Sequence, residues 1–292
     1  MIEKSHKHVT CENCLKRKDS LFANFCDNDL DGLNESKSCN FYKKNQPLFL
    51  EGSSPRGVFC LNAGKVKIFA RGEEGKEQII HIAKAGEIVG FRAMFSGEPY
   101  KVSAYSLEEC NVCFISKSDF LNLVDTNITL RNGIMKELSL ELSERATFIT
   151  NMAQKSVRER LAFSLVLLND IYEDEMINLT REDLSNFVGT ATETLIRLLK
   201  DFKEEALIKT HARKIEIINL EKLIEGNKHS TLVHLDSREA NLFTRRNVDG
   251  KIELCFVDWQ NVAIGTPFLD LGNVLSHLGL DLLTILFTYL IF

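Results

Sequence analysis

Two short stretches of this 292-residue chain carry side chains suited to chemistry. In VGTATETLIRLLKDF, residues 188–202, Glu193 and Arg197 stand four positions apart. On a helix turning about 100° per residue they share a face with Thr192, Ile196 and Lys200. Ala191, Leu195, Leu198, Leu199 and Phe202 fall on the opposite, apolar face. A carboxylate accepts from the N4 amino group of cytosine, and a guanidinium one turn later donates two bonds to guanine O6 and N7. Thr190 and Thr192, near the helix start, suit phosphate or thymine-methyl contacts, whereas Ile196 can only touch a methyl. The same pattern also serves as a plain solvated face, so the flanking elements decide between the two. The second stretch is Cys11-x2-Cys14, a spacing at which thiolates hold zinc or an iron–sulfur centre.

The elements around 188–202 favour base reading. NLTREDLSNFVG offers Thr180 as a helix cap with Asp183 three residues on, then two turns closed by Gly189. The next helix spans 190–203, followed by ALIKT and KIEIINL joined by HAR as a hairpin. Helix, glycine turn, helix and hairpin make a winged helix-turn-helix, whose second helix enters the major groove. Acidic residues outnumber basic ones between 154 and 228, so any affinity comes from a local set such as Lys200, Lys203, Lys209, Arg213 and Lys214.

Upstream, half of the 16 glycines lie between Gly52 and Gly97 among short β-branched runs, the mark of a small barrel or jelly roll. From Ser118 to about Asn151 the pattern is helical. Leu138, Leu142, Arg145, Ile149 and Met152 recur at 4-3-4-3 spacing, a coiled-coil seam that suggests a homodimer. Arg145 would then meet its own copy and weaken the pair by repulsion. The alternative is packing of this helix on its own barrel. The segmentation is 1–40, a cysteine-bearing N-terminal segment; 41–117, a β-roll; 118–153, a dimerisation helix; 154–226, the winged helix-turn-helix; and 227–292, a tail. The fold class is α+β multidomain.

Composition, at 44% hydrophobic and 26% charged, is that of a folded soluble chain, and a net charge of −5 excludes a global pull on nucleic acid. The polar start MIEKSHKHVT has no apolar signal core, and the apolar end LLTILFTYLIF is short for a membrane span. Eight cysteines without such a signal point to a reducing cytoplasm and to metal, redox or core roles.

Residues from about 10 to 226 resemble the CRP/FNR family of bacterial transcription regulators. GEIVGFRAMFSGEP resembles its effector loop, KSVRERLAF the start of its DNA-binding domain, and TATETLIRLLKDFKEEALI its recognition helix and wing. The resemblance implies a cyclic-nucleotide-binding-like β-roll, a dimer helix, and a homodimer on palindromic double-stranded DNA that works with RNA polymerase. It implies that Glu193 and Arg197 read a TGA core, with Ile196 departing from the Ser of the oxygen-sensing branch. It assigns Gly86, Glu87, Gly90, Phe91, Arg92 and Lys101 to the effector loop. Cyclic AMP is not expected, because Phe91 replaces the ribose-binding Glu and Lys101-Val102 the phosphate-binding pair.

The same branch carries an iron–sulfur cluster on three N-terminal cysteines and one in the barrel. Cys11, Cys14 and Cys113 match, whereas the third falls at Ser20, leaving Cys26 or Cys39 as substitutes. We take Cys11, Cys14, Cys39 and Cys113 as candidate metal ligands, with zinc as one alternative and a metal-free remnant as the other. Finally, residues 232–275 resemble the catalytic core of aminoglycoside phosphotransferases and choline-kinase-like enzymes. His234, Asp236 and Asn241 match the catalytic loop and Asp258 the metal-binding Asp, the resemblance implying Asp236 as base and Asn241 with Asp258 on Mg²⁺. Leu235 stands where that pattern has Gly, and the nucleotide-gripping lobe has no counterpart, so a fused remnant without catalysis is expected. The readings competing with a DNA-binding regulator are a small-molecule phosphotransferase and a metal or redox sensor that binds no DNA.

Overall fold

The computed structural model describes residues 10–173, 175–225, 231–234, 242–246, 252–256 and 262–265. These divide into two compact units, 1–218 and 219–292. The first begins with a 3₁₀ turn, Arg17–Asp19, and α1, Asp27–Ser36. Eight strands follow: β1 Lys37–Tyr42, β2 Pro47–Phe49, β3 Gly57–Ala63, β4 Val66–Arg71, β5 Glu77–Ala83, β6 Ile88–Val89, β7 Ser103–Ser106 and β8 Cys110–Ser116. The short helix α2, Phe91–Ser96, sits between β6 and β7.

The strands form two four-stranded antiparallel sheets, ordered β1-β8-β3-β6 and β2-β7-β4-β5. Their alternating apolar residues, Val58, Leu61, Val66, Ile68, Val112 and Ile115 among them, fill the space between. Gly64 turns the chain from β3 to β4 at φ +90°, where a Cβ would lie 2.5 Å from the Cys110 sulfur, so only glycine fits. The sheet begins earlier than the glycine pattern suggests, at Lys37. Phe22, Phe25, Leu30 and Leu33 are buried in the same core, so the cysteine-bearing segment is part of the roll.

The long helical region breaks at Asn127 into α3, Lys117–Thr126, and α4, Ile128–Gln154. Asn127 is extended, and its side chain accepts from Leu130 N, satisfying one of the orphan donors of α4. Leu130 and Ile134 of α4 are buried and Leu138 packs against the roll. Next come α5, Val157–Ile171, opened by a full capping box between Ser156 and Glu159, α6, Arg181–Val188, and α7, Thr192–Glu204. The hairpin of β9, Ile208–His211, and β10, Lys214–Ile217, completes the winged helix-turn-helix.

In the second unit α8, Leu220–Glu225, is followed by two antiparallel pairs. They join β11, Thr231–His234, with β14, Val262–Gly265, and β12, Leu242–Arg246, with β13, Ile252–Phe256. Among the described residues no helix is long and apolar enough to cross a membrane.

Candidate nucleic-acid interface and thiol cavity

The local signals around α7 act as their chemistry dictates. Thr180 Oγ1 accepts from Asp183 N at 2.9 Å, and Gly189 ends α6 in the left-handed region at φ 73°. Leu195, Leu199 and Phe202 are buried, each worth about 1.5–3 kcal/mol, and pin α7 against the domain. Glu193, Ile196, Arg197 and Lys200 face solvent. Among the described residues neither Glu193 nor Arg197 has a hydrogen-bond or ion-pair partner, whereas Lys200 lies 3.7 Å from Glu204.

Two positions differ from the helical wheel. Thr190 is buried at 8% exposure, because its amide donates to the Ser185 carbonyl at 3.0 Å and its carbonyl accepts from Lys76 Nζ at 3.1 Å. It holds the turn and is not presented to a ligand. Ala191 is exposed, because α7 starts at Thr192 and the apolar stripe begins a turn later. Thr192 is half-buried, its hydroxyl 3.0 Å from that of Ser185.

The reading head is tied to the roll through β4 and β5. Lys67 Nζ lies between Glu77 (2.7 Å) and Asp183 (2.8 Å), all three largely shielded. Gln78 Nε2 donates to the Asn186 carbonyl at 2.7 Å. From α5, Arg160 donates to the carbonyls of Val188 and Gly189.

The effector-loop residues divide. Gly86 and Gly90 both have positive φ, and Phe91 packs on the core. Glu87 is internally engaged: one oxygen lies 2.7 Å from His81 Nε2 and the other accepts from Lys84 N at 3.0 Å. Burial alone would lower the His81 pKa, but the Glu87 carboxylate outweighs it and holds it above the usual value. Arg92 reaches Glu141 of α4 at 3.0 Å, and Lys101, highly exposed, lies 3.4 Å from Glu98.

Arg145 overturns the repulsion expected at the seam. Its Nη1 donates to the Ile80 carbonyl at 2.8 Å and its Nη2 to Glu141 at 2.8 Å, so the guanidinium is docked on its own roll with its charge paired. Leu138 also faces the roll, and Met152 packs at Gly189. Leu142 (73%) and Ile149 (66%) alone of the five point outward, in line with Ile128 (61%) and Met135 (62%). Those four repeat every seventh residue, and the interleaved Asn132, Ser139, Ala146 and Ala153 are exposed too.

The cysteines converge. Cys11, Cys14, Cys60 and Cys113 line one cavity of about 50 Å³, together with Ser20, Lys37 and Arg17. Cys39 and Cys60 stand opposite Cys113 on either side, on β1 and β3. The Cys39 and Cys113 sulfurs are 2.8 Å apart, and Lys37 Nζ donates to the Cys11 sulfur at 3.0 Å. Cys26 is exposed and turned to Asp29. Burial pushes the thiols of Cys11, Cys60 and Cys113 up, which favours the protonated form until a cation takes the proton's place. Among the described residues no three His, Cys, Asp or Glu side chains are grouped closely enough to hold a single metal ion. Cys60 escaped the sequence reading, because only the register of β3 against β8 brings it to Cys113.

Of the kinase-like residues, His234 ends β11, and Asp236, Asn241 and Asp258 lie outside the described residues.

The chain matches two families, the Cyclic nucleotide-binding domain over residues 39–127 and the Crp-like helix-turn-helix domain over 159–225. A β-roll, a long helix and an exposed reading helix in a winged domain define a DNA-binding transcription regulator. The Fumarate and nitrate reduction regulatory protein of Vibrio cholerae is 30% identical over 190 residues, 63% of this chain and 76% of that one. The chain belongs to the CRP/FNR family of transcriptional regulators and is not an enzyme. The transcriptional activator protein anr of Pseudomonas aeruginosa is 28% identical over 217 residues, 72% of this chain and 88% of its own length. The solved structure of FixK2 from Bradyrhizobium japonicum shares the fold at 18% identity and a TM-score of 0.59, covering 65% of this chain and 96% of that one.

Proposed function

We propose that this regulator acts as a cytoplasmic homodimer that reads a palindrome with α7 and answers to a signal received at the thiol cavity. The observation that carries the reading is the pair Glu193 and Arg197: one turn apart, exposed over a buried leucine stripe, and without a partner among the described residues. Glu193 accepts from the cytosine and Arg197 clasps the guanine of the one G·C pair in a TGA-like half-site. Thr192 and Lys200 flank them for backbone contacts, and Ile196 meets a thymine methyl.

The second copy docks along Ile128, Met135, Leu142 and Ile149, a heptad stripe with small or short polar residues between. Two-fold pairing there presents two copies of α7 to half-sites about 34–36 Å apart. Work with RNA polymerase is part of the same proposal, supported by the resemblance to transcription regulators.

The donor set of the cavity suits an iron–sulfur cluster better than zinc. A single tetrahedral ion needs all four sulfurs about 2.3 Å from one point, which the placement of these thiols does not offer. A cluster is a larger body with more widely set ligands. Cys11, Cys14, Cys60 and Cys113 would hold it, with Cys60 in the place the family gives to a residue that is Ser20 here. Such a cluster supplies a redox-sensitive charge. Lys37 and Arg17 at the wall offset the thiolates' charge. Cyclic AMP is not its effector: Glu87 is already bound to His81 and Lys84, and Arg92 to Glu141.

The test is fluorescence anisotropy on a palindromic duplex with TGA half-sites, over a salt series. Arg197→Ala should weaken the cognate duplex by about 1–3 kcal/mol and flatten discrimination at one base position. Unchanged discrimination in a folded Arg197→Ala protein would overturn the reading.

A further inference from the structure

Cys39 lines no wall of the cavity, yet its sulfur is the partner closest to Cys113. The two residues are directly opposed on the antiparallel strands β1 and β8. Opposed residues on such strands have Cα atoms about 4.5 or 5.5 Å apart. Both values fall inside the span of about 4.4–6.8 Å that a disulfide bridges without moving the backbone. The sulfurs already stand 2.8 Å apart, and both thiols are free. Cys60 is opposed to Cys113 from the other side, but it lines the cavity with Cys11 and Cys14. Cys113 is therefore shared between a cavity and a neighbour that can claim it covalently.

We propose that Cys39 and Cys113 form a redox-active dithiol, closed to a disulfide by exchange with a low-molecular-weight disulfide such as oxidised glutathione. Cys39 loses its proton and attacks one sulfur of the small disulfide, which releases a thiolate that takes up that proton. Cys113 then attacks the Cys39 sulfur of the mixed disulfide, and the second small thiolate leaves with the Cys113 proton. Two electrons pass from the cysteine pair to the small disulfide, giving one protein disulfide and two small thiols. In a reducing cytoplasm such a bond is transient and reports oxidative load. It draws the Cys113 sulfur toward β1, out of the set lining the cavity. That consequence rests on the cavity's role under Proposed function, whereas the bond itself does not.

The experiment uses the full chain, purified without oxygen and stripped of metal by a chelator. It is treated with excess oxidised glutathione, alkylated, digested and mapped by mass spectrometry. The expected result is a Cys39–Cys113 cross-linked peptide, a loss of two alkylatable thiols, and recovery of both with dithiothreitol. The cross-link should persist in Cys60→Ser and vanish in Cys39→Ser. A cross-link joining Cys60 to Cys113 instead, or full alkylation of Cys39 and Cys113 after treatment, overturns the proposal. A second arm offers ferrous iron and sulfide to reduced and oxidised protein and measures bound iron. Uptake by the reduced form and at least a tenfold loss in the cross-linked form supports exclusion of one state by the other. Equal uptake by both forms overturns the exclusion. A reduced protein that cross-links normally but takes up no iron keeps the dithiol and removes the cluster reading.

Discussion

Leu142→Ala tests the dimer seam. Leu142 is 73% exposed on α4, so nearly three quarters of its surface is left for a partner to cover. Complete burial of a leucine is worth about 1.5–3 kcal/mol, which leaves about 1–2 kcal/mol per copy and about 2–4 kcal/mol for a symmetric pair. Each 1.4 kcal/mol is a factor of ten, so truncation should raise the dimer dissociation constant about 30- to 700-fold. Sedimentation equilibrium across a dilution series measures it, and circular dichroism checks that the monomer stays folded. Because the side chain makes little contact within its own chain, truncation should leave monomer stability close to unchanged. Leu138→Ala, one turn back but facing the roll, should do the reverse, lowering thermal stability with little effect on association. If Leu142→Ala associates as tightly as the unaltered chain, the stripe through Ile128, Met135, Leu142 and Ile149 is not the interface.

Two further substitutions probe the joints of the fold. Gly189→Ala should destabilise by more than about 1 kcal/mol in denaturant titration, since φ is +73° and the new Cβ would lie 3.1 Å from the Met152 sulfur. His81→Gln removes a histidine whose pKa is raised in the fold by Glu87 despite burial, with Glu144 adding to the rise and Arg145 opposing it. A raised pKa stabilises the fold fully below the free-histidine value of about 6.5 and loses that contribution as pH climbs through the folded value. The melting-temperature gap between the two proteins should therefore be wider near pH 5.5 than near pH 8.5. A gap that widens with rising pH would contradict the Glu87 pairing.

The reading helix was legible from sequence because everything that builds it is local. Thr180 caps three residues ahead, Gly189 supplies a positive φ, and the spacing of Leu195, Leu199 and Phe202 fixes which face is hidden. The errors at Thr190 and Ala191 lie where the wheel was carried past the helix start, into a turn whose geometry is set by Ser185 and Lys76. The seam differs from the outward face of α4 for another reason. Periodicity gives the faces of α4 but not which face meets the roll. Both 138-142-145-149-152 and 128-135-142-149 are good repeats, and the inward placement of Leu138, Arg145 and Met152 separates them. The thiol cavity was half legible. Cys11 and Cys14 are marked by spacing, whereas Cys60 is distant in sequence and meets Cys113 only through strand pairing.

That same non-local pairing makes β5 the strand on which the separate parts meet. At its start, Glu77 pairs with Lys67, which also holds Asp183 of α6, and Gln78 donates to the Asn186 carbonyl. At its middle the Ile80 carbonyl takes Arg145 of α4, and His81 takes Glu87 of the effector loop. Glu141 binds both Arg145 and Arg92, so the effector loop and α4 share one carboxylate. Coupling between distant sites needs an element with two arrangements that both sites bias. A seven-residue strand with α6, α4 and the effector loop all bonded to it meets the geometric half of that requirement. Sliding α4 along the roll must break or carry the Arg145–Ile80 bond, and carrying it shifts the strand from which Gln78 grips α6. The strand that α4 grips through Arg145 is thus the strand that grips α6, the helix joined to α7 through Gly189.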